Sequence, residues 1–108
     1  MEREDIVSRL ITELGYTTKE AELSARDLQS SAAPVQVAFN KWWEGRGLDP
    51  HLEVQGYTLE KLTNDYGFNP IAALLTMDRL IREPDEAIEA LNEGYDVVHT
   101  SHVLTISQ

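Results

Sequence analysis

The residues best suited to metal or acid–base chemistry in this chain are its three histidines, His51, His99 and His102. A His99-x-x-His102 pair joined by Asp96 would gather three ligands if the segment were helical. The β-branched residues between Val97 and Ile106 predict a strand instead, which turns His99 and His102 to opposite faces. No fourth ligand is evident and cysteine is absent, which removes thiolate ligands and thiol nucleophiles. No serine stands in a Gly-x-Ser-x-Gly elbow, and there is no glycine-rich phosphate loop or His-Glu-x-x-His pair. Asp and Glu number 19 against nine Lys and Arg, so a carboxylate couple chosen from so many carries no specific acid–base signal. No catalytic, cofactor-binding or metal-binding residue is assigned, and the expectation is a protein that is not an enzyme.

Residues suited to binding are better defined. Between Glu83 and Asp96 lie Glu83, Asp85, Glu86, Glu89, Glu93 and Asp96, with no Lys or Arg among them. On a helix, Glu86, Glu89 and Glu93 fall at i, i+3 and i+7, a carboxylate stripe opposite Ile88 and Leu91. Like charges at that spacing repel by a few tenths of a kcal/mol per pair. Such a stripe serves as a solvated face or as an electrostatic surface for a basic groove. Trp42 and Trp43 are the second feature. Adjacent helical residues stand about 100° apart, so one indole can face the core while the other is at least partly exposed beside Lys41 and Arg46. Both can instead be buried as bulky filler of a small double bundle.

The chain has 108 residues and a formal net charge of −10. That charge opposes direct contact with nucleic acid or anionic lipid and favours basic partners. No apolar run approaches the roughly 18–20 residues of a membrane span. The acidic opening Met1-Glu2-Arg3-Glu4-Asp5 is unlike a secretory signal or transit peptide. A cytoplasmic protein is expected.

The elements that must position these residues are mostly helices. Ile6, Val7, Leu10, Ile11 and Leu14 form one apolar stripe, with Glu4 and Asp5 near its start and Gly15 as its stop. Thr17-x-x-Glu20 is a capping-box pattern that opens a second helix. Ser30 and Ser31 break it and can cap a third, which has Pro34 in its first turn and stops at Gly45 and Gly47. Asp49-Pro50 marks a turn, and Leu52 to Gln55 can extend. Thr58 caps a short helix that ends at Gly67. Asn69-Pro70 opens the most apolar helix, which is expected to be central. Pro84 restarts the last, which stops at Gly94. After Asp96 the period becomes two.

The expectation is a single compact domain over 1–108, mainly α, a bundle of about six helices built as two three-helix units, 4–45 and 58–94. The extended segments 52–57 and 97–106 could pair as a short two-stranded β-ribbon, the latter within a β-prone tail, 97–108. At an offset of 52 residues, Leu10 meets Leu62, Leu14 meets Tyr66, Gly15 meets Gly67, Tyr16 meets Phe68, Ala21 meets Ala73 and Leu28 meets Leu80. Each half reads helix, Gly-aromatic turn, helix, Pro, helix, Gly.

Leu14-Gly15-Tyr16 with Ala21, and Tyr66-Gly67-Phe68 with Ala73, Ala87 and Leu91, resemble a tandem pair of ubiquitin-associated-type (UBA-like) three-helix domains. Neither loop begins with the usual Met, and Pro84 departs from the pattern. The resemblance implies a partner-binding patch centred on the two loops, at Tyr16 and Phe68. The two rings can equally serve as core staples.

These features together favour a non-enzymatic protein–protein interaction module, an adaptor or regulator with a basic or mixed partner surface. Its candidate contact residues are Trp42, Trp43, Tyr16, Phe68, Glu86, Glu89 and Glu93. The alternative is an acidic mimic of DNA that inhibits a nucleic-acid-binding enzyme, and the third is an enzyme with an unrecognised site. A homodimer could form through the C-terminal strand or an exposed Trp.

Overall fold

The computed structural model describes residues 2–94. Among them are six helices and one small antiparallel sheet, in the order α1 (Arg3–Leu14), α2 (Thr18–Gln29), α3 (Ala33–Trp43), β1 (Glu53–Val54), β2 (Tyr57–Thr58), α4 (Leu59–Asn64), α5 (Pro70–Arg82) and α6 (Pro84–Asn92). The chain is thus mainly α, with its helices gathered around one core.

Local chemistry sets most of the boundaries. Acids Glu4 and Asp5 occupy the first turn of α1, where they offset the positive end of the helix dipole. Gly15 ends α1 in the left-handed region at φ 71°, and its amide donates to the Ile11 carbonyl at 3.2 Å. The Tyr16 amide then reaches back to the Leu10 carbonyl, also at 3.2 Å. After α4, Gly67 has φ 72° and the Phe68 amide reaches back to Leu62 at 3.2 Å, so the two Gly-aromatic turns share one geometry. At α2 the capping box is complete, with Glu20 N to Thr17 Oγ1 at 3.1 Å and Thr17 N to Glu20 Oε1 at 3.0 Å. Thr58 caps α4 and Asn69 caps α5, each through an amide three residues on.

One sequence expectation is corrected here. Ser30 and Ser31 do not cap α3. Their hydroxyls turn back and donate to the Arg26 and Leu28 carbonyls at 3.0 and 2.7 Å, which at the end of α2 also accept the Ser30 and Ser31 amides. The N-cap of α3 is Ala32, which has no side-chain oxygen to offer. Among the described residues the two-stranded ribbon is local. Glu53 pairs with Thr58 and Val54 with Tyr57, so the segment 52–57 folds back on itself. Gln55 and Gly56 make the turn at φ 54° and 81°, both positive, as a two-residue hairpin with the right twist requires. The other expected strand, 97–106, and the tail 97–108 lie outside the described residues.

Helix α5 is the hub. Every residue from Ile71 to Asp78 is buried, and α5 packs against α2, α3, α4 and α6. Leu74, Met77 and Leu80 are fully enclosed, and burial of each such side chain contributes about 1.5–3 kcal/mol. Helix α1 packs chiefly on α2, through Ile6 and Leu10.

Polar staples tie α5 to α2 and α3. Asp78 Oδ1 accepts from the Ala32 amide at 2.8 Å and from Arg82 Nε at 3.1 Å. Arg82 Nη2 donates in turn to the Ser30 carbonyl. One carboxylate and one guanidinium from α5 therefore complete the end of α2 and the start of α3. None of the helices among the described residues is long and apolar enough to cross a membrane.

Candidate functional site

The seven candidate contact residues fall into three places. Trp42 and Trp43, in the last turn of α3, are both half-buried and both pack on the core, so the indoles do not divide into one buried and one exposed. The reason is Phe39, one turn back, which has its ring centroid 6.2 Å from that of Trp42 and 5.8 Å from that of Trp43. Arg9 of α1 closes the other side. Its guanidinium carbon lies 5.0 Å from the Trp42 ring centroid and 4.5 Å from that of Trp43, within cation–π range of both. Arg9 is itself fixed, donating from Nη1 to the Trp43 carbonyl at 2.8 Å and from Nε to Glu13 at 2.6 Å. The cations expected beside the indoles are occupied as well. Lys41 pairs with Asp49 at 3.1 Å and Arg46 with Glu44 at 3.4 Å. Asp49 also accepts from the His51 amide at 2.9 Å, and that bond, together with Lys41, holds its carboxyl below the usual carboxylate value.

The two turn aromatics are also half-buried. The Tyr16 hydroxyl donates to Asn69 Oδ1 at 3.2 Å, the same oxygen that caps α5, so the first turn is bonded to the residue that follows Phe68. Phe68 packs against Tyr66 at 5.9 Å between centroids, and Tyr66 against Tyr57 at 6.1 Å. Burial pushes the Tyr57 phenol above its ordinary value, and its hydrogen bond with Tyr66 adds to the effect. The structure thus links Tyr16 to the second turn through Asn69, while the indoles lie apart with Arg9.

Glu86, Glu89 and Glu93 are different. All three are exposed on or just after α6, as is Asp85. No Lys or Arg occurs in α6, and the nearest cation in the network, Arg79, is bonded to Glu83 at 3.3 Å. Glu83, at the junction of α5 and α6, shares a hydrogen bond with Glu86. That bond, then the charge of Glu83 and weakly that of Glu89, push the Glu86 carboxyl above its ordinary value despite the opposing pull of Arg79. The acidic face therefore carries repulsion that α6 does not relieve internally.

Among the described residues no group of three His, Cys, Asp or Glu could hold a metal ion. His99, His102 and Asp96 lie outside the described residues. Sequence reasoning missed Arg9, Asp78 and Arg82 as organising residues. Asn69 was legible as a cap, but its second bond joins positions 53 apart in sequence. No protein family, curated protein or solved structure matches this chain.

Proposed function

We propose that the chain is a non-enzymatic protein-interaction module whose acidic sixth helix receives a basic partner surface. The observation that carries this reading is the exposed, cation-free row Asp85, Glu86, Glu89 and Glu93, in which the Glu86 carboxyl is already displaced upward by its acidic neighbours. A basic partner relieves that repulsion, so association gains from the charges the fold itself finds unfavourable. The aromatic candidates contribute less under this reading. Tyr16 is bonded to Asn69, and Trp42 and Trp43 enclose Phe39 and Arg9. The two Gly-aromatic turns, on which the UBA-like resemblance rests, then act as connectors of the scaffold.

The test is affinity capture from the source cell at graded salt, with the parent chain and with Glu86→Gln/Glu89→Gln/Glu93→Gln. The captured partner is expected to bear a basic surface, to elute as salt rises, and to be lost with the triple variant. A partner that persists through high salt and binds the triple variant equally well refutes the acidic-face reading. Capture of a nucleic-acid-binding enzyme that the chain inhibits would favour the mimic over the adaptor.

A further inference from the structure

We draw no further inference here: the strongest candidate, the open apolar groove between α1 and α2 floored by Val7, Ile11 and Leu23, has a rim on which Arg26 is paired with Asp27 while Glu4 and Glu22 stand with Arg3 and Lys19, so nothing in the structure shows what covers it.

Discussion

Replacement of Asp78 by alanine should be the most informative single test of how the fold is held together. In α2 the amide of the N-cap Thr17 is satisfied by Glu20, three residues on. The corresponding residue of α3 is Val35, which has no acceptor, and the N-cap Ala32 has no side-chain oxygen. Asp78, 46 residues away, supplies the missing acceptor at 2.8 Å from the Ala32 amide. A hydrogen bond to a charged acceptor contributes about 1.5–3 kcal/mol. The carboxylate also lies at the positive end of the α3 dipole, worth about 0.3–1 kcal/mol. The Arg82 pair adds about 0.3–0.5 kcal/mol, because Arg82 remains half-exposed and keeps its bond to the Ser30 carbonyl. Asp78→Ala should therefore cost about 2–4 kcal/mol, or about 10–20 °C in melting temperature for a chain of this size.

Urea titration followed by far-ultraviolet circular dichroism measures that cost, with an unchanged m-value as the sign that the unfolded reference is the same. Asp78→Asn keeps an oxygen for the amide but loses the charge, and should cost about half as much. In a double-mutant cycle with Arg82→Ala the coupling should stay below about 1 kcal/mol, because the Ala32 amide, and not Arg82, is the principal partner. A cost below about 0.5 kcal/mol for Asp78→Ala, or equal costs for Asn and Ala, would refute the capping argument.

Further expectations concern Arg9, Thr76 and Glu86. Arg9→Ala removes contacts with two indoles and the bond to the Trp43 carbonyl, and should cost about 2 kcal/mol with a red shift of tryptophan emission. Arg9→Lys should not recover most of it, since a point charge cannot stack on two rings and donate to the carbonyl together. Thr76 is 0% exposed and its Oγ1 has no hydrogen-bond partner among the described residues, so Thr76→Val should stabilise by about 1 kcal/mol in the same urea titration. A loss of stability would mean that the hydroxyl is satisfied after all. The Glu86 carboxyl is raised in the folded state, so its contribution is fully present below the unfolded value and is lost as pH rises through the folded one. Glu86→Gln should accordingly melt higher than the parent at neutral pH, with the advantage vanishing in acid. An advantage that does not change with pH would contradict the assignment of its cause to Glu83.

What the sequence made legible was whatever depends on neighbours. Thr17 with Glu20, Asn69 with Pro70, and the stop at Gly15 lie within a turn of the atoms they serve, so spacing alone locates them. The same is true of the Glu86, Glu89 and Glu93 row. Helix α4, by contrast, ends at Asn64, three residues before the Gly67 expected to stop it. The unread features depend on contacts across the chain. Asp78 sits in the most apolar helix, and nothing nearby in sequence marks it as the cap of a helix begun at residue 33. Arg9 looks like one more solvated charge on α1 until α3 brings two indoles to it. The hairpin escaped notice for a different reason. Its turn begins with Gln55 at positive φ, where Asn or Asp would have been the usual signal.

These distant contacts redistribute the functional weight. Tyr16, Trp42 and Trp43 look like spare aromatic surface in sequence, yet each has an internal task. Tyr16 is held by Asn69, and the indoles by Phe39 and Arg9. A side chain that the fold needs is accounted for without a partner. The carboxylates of α6 are not accounted for in that way, because their mutual repulsion lowers the stability of the helix that carries them. Leu23 is similar, an apolar group half in water and outside the core. Departures from what folding alone would favour are where function is expected to lie. Here the clearest of them is the exposed acidic row of α6.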